Sequence, residues 1–210
     1  MLRKKALYPK IRLTLVVGPA DSAPRAPAEL AALAFDGGVT ALQLRDKTLP
    51  DGELLKLAKE LKALAAARGK LFLVNDRPDI ALACDADGVH LGEGDMPVAD
   101  AARILPKSMI IGYSASSAAS GKAAILAGAD YLGVGALFPS PSKPEATVLS
   151  PETITSIVAL TWPTAGIGGI TTSNAHLAWA RGFNGLALIS ALAGAENPGA
   201  AAEKILSGCV

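Results

Sequence analysis

The chain has 210 residues, a formal net charge of +1, and 50% hydrophobic but only 4% aromatic residues. That length suits one domain near the lower end for an eight-stranded α/β barrel. The near-neutral charge argues against a nucleic-acid partner, and no apolar run reaches the ~18 residues a membrane helix needs. Cys84 and Cys209 are far apart and lack metal-ligand spacing, so there is no disulfide scaffold and a reducing, cytoplasmic compartment is expected.

The basic start, Met1 to Lys10, precedes an apolar run from Ile11 to Val17. The run is short and leads into Gly18-Pro19 without a clear small-residue cleavage site, so it reads as a first strand rather than a leader. Further apolar runs predict strands at Ala41–Leu44, Leu71–Val74, Gly88–Leu91, Met109–Gly112, Tyr131–Gly135, Thr164–Ile167 and Gly185–Ile189, with the first at Arg12–Val17. Ala- and Leu-rich segments lie between them. Leu54, Leu57, Ala58, Leu61, Leu64 and Ala65 form one helical face, which Gly69 ends. Ala86–Gly92, Ala129–Gly135 and Phe183–Leu188 echo one another as helix end, tight turn and buried strand. Parallel strands need crossover helices, and eight such units close a barrel. The expected fold is a single (β/α)8 TIM barrel spanning residues 1–210, with a doubly wound open sheet as the competitor.

In such a barrel the groups just past the strand C-termini share one mouth. After strand two, Gln43, Arg45 and Lys47 alternate toward one side, which suits a diphosphate or, equally, a solvated charge cluster. After strand three come Asn75 and Asp76; after strand four come Glu93 and Asp95. Paired acids at adjacent strand ends fit Mg²⁺, which takes one or two carboxylates plus substrate phosphates. Capping of the next helix is the alternative for each. Ser114 and Ser116 follow strand five and read as ordinary N-caps. Strand six leads to Ser140, Ser142 and Lys143 on a proline-rich loop at 139–147, which would enclose an anion or simply be stiff. Gly168-Gly169 after strand seven and Ile189-Ser190 after strand eight stand where barrel phosphate sites are commonly built. His90 reads as a packed strand residue and His176 as a surface one. No Ser-His-Asp or Cys-His arrangement stands out, which points to positioning and charge neutralisation rather than a strong acid–base pair.

Taken in order, Gln43–Lys47, Asn75-Asp76, Ala86–Gly92, Asp95, Gly112 with Ser114, Ser140–Lys143, Gly168-Gly169 and Ile189-Ser190 resemble the thiamine phosphate synthase family over roughly residues 10 to 207. The resemblance implies that a hydroxymethylpyrimidine diphosphate loses pyrophosphate and joins the nitrogen of a thiazole phosphate. It assigns Gln43, Arg45, Lys47, Asn75, Ser114 and Lys143 to the pyrimidine diphosphate. Arg45, Ser114 and Lys143 would also stabilise the departing charge. Asp76 and Asp95 would ligate Mg²⁺, and Ser140, Ser142, Gly169, Ile189 and Ser190 would hold the thiazole phosphate. The implied partners are phosphorylated small molecules; homo-oligomer formation stays open.

The chain departs from the family pattern at Ser140 and Ser142, where threonines are common, at Thr14, where a tyrosine is common, and at Ser116, where many members carry histidine. The sister thiazole tautomerases use a histidine at the Ser116 position, so its absence beside Lys143, Asp76 and Asp95 favours the synthase. A non-catalytic phosphate-binding barrel is the third reading.

Overall fold

A computed structural model describes residues 7–140 and 147–208. Eight parallel strands close into a barrel in sequential order: β1 (Leu13–Val17), β2 (Ala41–Leu44), β3 (Leu71–Asn75), β4 (Gly88–Leu91), β5 (Ile110–Ala115), β6 (Tyr131–Val134), β7 (Thr164–Ile167) and β8 (Gly185–Leu188). The ring shuts between β1 and β8, with Thr14 opposite Ala187. Every predicted strand is present, and the open-sheet alternative is excluded. The largest difference is in β5. It begins one residue later than the sequence indicates and runs on through Tyr113, Ser114 and Ala115.

Among the described residues ten α-helices wrap the outside: α1 (Pro19–Ser22), α2 (Pro27–Asp36), α3 (Asp51–Ala67), α4 (Pro78–Ala83), α5 (Val98–Ile104), α6 (Ala118–Ala127), α7 (Pro151–Val158), α8 (Ala175–Trp179), α9 (Ser190–Ala193) and α10 (Pro198–Ser207). Local chemistry sets several of their starts. Ser117 and Ser120 form a reciprocal capping box on α6, Ser150 caps α7 and Asn197 caps α10. Proline occupies the first turn of α2, α4, α7 and α10, where its missing N–H is not needed. The Trp179 indole donates to the Ile205 carbonyl at 2.9 Å, fastening α8 to α10.

Strand alternation divides the side chains into two sets. Leu13, Leu15, Leu42, Leu44, Phe72, Val74, Val89, Leu91, Leu132 and Val134 face the helices in one large buried cluster. Truncating one of these, such as Leu132→Ala, should cost about 2–5 kcal/mol. The lumen holds a separate, smaller cluster of Ile11, Ala41, Leu71, Leu73 and Tyr131, closed from below by the 3₁₀ turn Tyr8–Ile11. This small lumen puts polar side chains above an apolar floor. Buried Gln43 and His90 sit one layer toward the strand ends. Among the described residues no helix is long and apolar enough to cross a membrane.

Candidate active site

The C-terminal ends of β2, β3 and β4 bring three predicted residues together. Lys47 Nζ lies 3.5 Å from Asp76 Oδ2, and the Asp76 carboxyl faces that of Asp95. Burial, and then the neighbouring Asp95 carboxyl, push the Asp76 carboxyl up to about 6 against the opposing pull of Lys47. Two acids held this close favour a shared proton or a bound cation.

Helix capping, the alternative for both acids, does not occur. Asp76 is a non-glycine residue in the left-handed region (φ 62°), and the cap position of α4 belongs to Arg77. Asp95 turns back to accept the Gly92 N–H at 2.6 Å, which anchors its carboxylate at the end of β4. Arg77 is directed elsewhere. Its guanidinium binds Asp79 at 2.6 Å and Asp51 at 2.8 Å, tying the starts of α4 and α3.

The remaining residues on this side occupy different depths. Gln43 is buried in the lumen and Asn75, the last residue of β3, is half-buried. Arg45 is half-buried just past β2, and Lys47 is exposed. The loop that carries them is closed by Asp46, whose Oδ1 accepts from Thr48 N and Leu49 N, both at 2.7 Å. Asp21 on α1 also faces Arg45. Burial raises its carboxyl, and the Arg45 charge partly offsets this. Neither Asp21 nor Asp46 was singled out by motif, because nothing in linear spacing shows which acids surround a given arginine.

Ser114 requires a correction. It lies within β5, not after it, and projects from the strand with its hydroxyl exposed at the mouth. Polar Tyr113-Ser114 resembles a loop in sequence, yet Ser114 pairs in register with Gly133 of β6. Ser114 also meets a histidine, a contact that linear spacing does not show. His90 Nε2 lies 2.9 Å from Ser114 Oγ and His90 Nδ1 lies 2.8 Å from the Tyr131 hydroxyl. The signal that would have found it is two glycines opposite two large polar side chains. A side chain at Gly112 would strike the Tyr131 ring, and one at Gly133 would come within 2.9 Å of His90 Cε1.

The other side of the mouth is built from backbone. Gly168 (φ 96°) and Gly169 (φ 65°) follow β7 in left-handed conformations. A Cβ on Gly169 would collide with the carbonyls of Phe138 and Pro139, so this turn nests against the segment leading to half-buried Ser140. Asn174 locks the turn, donating to the Gly169 carbonyl at 2.9 Å and accepting from Thr171 N at 2.7 Å. Helix α8 therefore begins at Ala175, later than the glycines alone imply. After β8, half-buried Ile189 and exposed Ser190 open the four-residue helix α9. Loops after strands seven and eight with a short extra helix form the usual phosphate site of these barrels. Ser142 and Lys143 lie outside the described residues.

A cleft of about 390 Å³ on the opposite face is lined by Lys10, Lys62, Lys70 and Asp87. Lys62 and Asp87 pair at 2.8 Å, and Asp87 also accepts from Phe72 N at 2.8 Å. These contacts bind α3 to the strand bottoms, a stabilising role typical of that face.

A family model described as thiamine monophosphate synthase matches residues 13–192. The chain belongs to the thiamine monophosphate synthase family. It is 41% identical to the thiamine-phosphate synthase of Haloquadratum walsbyi, covering 91% of this chain and 87% of that protein. The Chlorobium luteolum thiamine-phosphate synthase is 44% identical over 86% of each chain. Among solved structures, a thiamine phosphate pyrophosphorylase from Pyrococcus furiosus superposes with a TM-score of 0.88 at 38% identity, covering 97% of both chains. A 3-hexulose-6-phosphate synthase shares the fold alone, with a TM-score of 0.68 at 16% identity.

Proposed function

We propose that the chain joins a hydroxymethylpyrimidine diphosphate to a thiazole phosphate, giving thiamine phosphate and pyrophosphate. Membership of the thiamine monophosphate synthase family supports the reaction class. The observation that carries the reading to this chain's own residues is the Asp76–Asp95 pair beside Lys47, on the mouth that also holds the Gly168-Gly169 and Ile189-Ser190 turns.

The acid pair fits a Mg²⁺ ion. It offers hard oxygen ligands, and burial beside Asp95 disfavours an ionised Asp76 despite Lys47. Asp76 and Asp95 would hold the ion, which when bound would neutralise part of the diphosphate charge. The rest falls to this chain's side chains. Arg45 and Lys47 place two positive charges at the β2 end, Asn75 and Gln43 offer amides, and Ser114 presents a hydroxyl. The bond between the pyrimidine methylene carbon and the diphosphate oxygen breaks, with the electron pair leaving on pyrophosphate. The thiazole nitrogen then supplies the pair for the new carbon–nitrogen bond. Ser140, Gly169, Ile189 and Ser190 hold the thiazole phosphate at the far side, so the nitrogen is aimed across the mouth. No proton transfer is needed at the carbon, which suits a site with cations and donors but no strong base. Lys143 and Ser142 add a charge and a hydroxyl on the sequence pattern.

The test mixes purified protein with both substrates and Mg²⁺ and reads thiamine phosphate and pyrophosphate. Both products are expected, with loss on chelation and recovery on adding Mg²⁺. Absence of both under conditions where a thiamine-phosphate synthase works overturns the reading. The charged substrates and the unpaired cysteine Cys84 favour a cytoplasmic setting.

A further inference from the structure

A hydrogen-bonded line of side chains crosses the barrel beneath the mouth. The line starts beside Gln43 on β2, which neighbours the Tyr131 phenol on β6. That phenol lies 2.8 Å from His90 Nδ1 on β4, and His90 Nε2 lies 2.9 Å from Ser114 Oγ on β5. Gln43, His90 and Tyr131 are 6%, 9% and 4% exposed, whereas Ser114 opens on the mouth. Buried polar groups cost stability unless each is satisfied, so an apolar lumen would be simpler to build. The space for this line is made by Gly112 and Gly133, which leave room for the tyrosine ring and the imidazole.

We propose that His90 is a positioning residue for Ser114: the Tyr131 hydroxyl holds it as the neutral tautomer protonated on Nε2, so that Ser114 is turned to donate its proton to an oxygen of the substrate diphosphate. The direction follows from counting hydrogens. The buried Tyr131 phenol has one hydrogen to place, and His90 Nδ1 at 2.8 Å is an acceptor within reach. The phenol's own hydrogen then goes to His90 Nδ1. The imidazole's one proton sits on Nε2 and is donated to Ser114 Oγ, leaving the serine hydrogen free for the mouth. Burial disfavours a charge on the ring. The opposite tautomer would accept from Ser114 and make the serine an acceptor toward ligand, the wrong polarity for an anion.

The identity of the oxygen rests on the proposed reaction; the tautomer does not. Only two histidines are present, His90 and His176. With ¹⁵N-labelled histidine in ligand-free protein at pH 7, two-bond ¹⁵N–¹H correlation should show His90 protonated on Nε2 alone. Tyr131→Phe, which removes one oxygen, should give a mixture of tautomers. A wild-type His90 protonated on Nδ1, or a spectrum untouched by Tyr131→Phe, overturns the proposal whatever the protein's activity.

A second measurement reads the positioning. Binding of Mg²⁺–pyrophosphate should weaken about 3- to 10-fold in Ser114→Ala and in His90→Leu. The double variant should be no weaker than Ser114→Ala, and His90→Gln, which keeps a side-chain N–H, should recover most of the loss. Additive losses in the double variant, or no recovery in His90→Gln, also overturn it. These outcomes are distinct from failure to make thiamine phosphate, since neither measurement uses the thiazole substrate.

Discussion

The two sides of the barrel mouth are built by different means. From β2 to β5 the work falls to side chains: Arg45, Lys47, Asn75, Asp76, Asp95 and Ser114, set on strand ends and braced from below. From β6 to β8 it falls to backbone, with two left-handed glycines and the start of a four-residue helix. A diphosphate that must leave with its charge neutralised needs mobile cations and a metal. A monophosphate that only has to be held is served by N–H groups whose direction is fixed by the turn. For the proposed reaction, this concentrates charge where charge develops, and rigidity where it does not.

Mutations should separate the two sides. The largest effect is expected from Asp76→Asn, Asp95→Asn and Lys143→Ala, each lowering kcat/KM by about 100-fold or more, read in steady-state assays with saturating thiazole phosphate. If the aspartate variants keep near-normal turnover that still depends on Mg²⁺, the metal site lies elsewhere. Gly169→Ala should act on the other side. It forces a Cβ into the Phe138 and Pro139 carbonyls at φ 65°, and should raise KM for thiazole phosphate about 10- to 100-fold. The KM for pyrimidine diphosphate should stay within about threefold; a larger change would mean the two sides are not separable.

The acid pair also sets a pH dependence. Because the Asp76 carboxyl is raised to about 6, Mg²⁺ must displace a proton below that pH. Apparent Mg²⁺ affinity should be flat above about pH 7 and fall up to tenfold per unit below about pH 6. Calorimetric titration at several pH values checks this. The smallest effect concerns stability. A carboxyl whose folded value is raised stabilises the fold while protonated, and that contribution is lost as pH rises from about 4 through about 6. Metal-free protein at pH 7.5 thus carries an unfavourable charge at Asp76, which is only 23% exposed. Asp76→Asn should therefore raise stability by about 1–2 kcal/mol while removing activity, measured by urea unfolding in chelator. No gain would indicate that Lys47 compensates fully for Asp95.

Much of the barrel was legible because its signals are local. Short apolar runs alternate with Ala-rich helical faces, and three strand ranges were read to the residue. The site was legible to the extent that strand ends share a mouth, which carries Asp76 to Asp95 across nearly twenty positions. What stayed hidden depended on contacts between distant strands. Tyr113 and Ser114 look like loop residues, and only pairing to Leu132 and Gly133 makes them strand. His90 was rightly read as packed, but its partners lie 24 and 41 residues away. Asp76 and Asp95 looked equally like caps until the backbone placed Arg77 and Pro97 at those positions.

The glycines of the lumen carry an evolutionary consequence. Gly112 faces the Tyr131 ring with no space for even a methyl group, so the two positions are not free to drift independently. A relative with any side chain at the position of Gly112 should carry something much smaller than tyrosine at that of Tyr131. Its histidine would then have lost the phenol behind it. The same linkage constrains redesign: widening the mouth by trimming Tyr131 would also release the histidine that braces Ser114, so a broader substrate range and an intact serine would have to be recovered together.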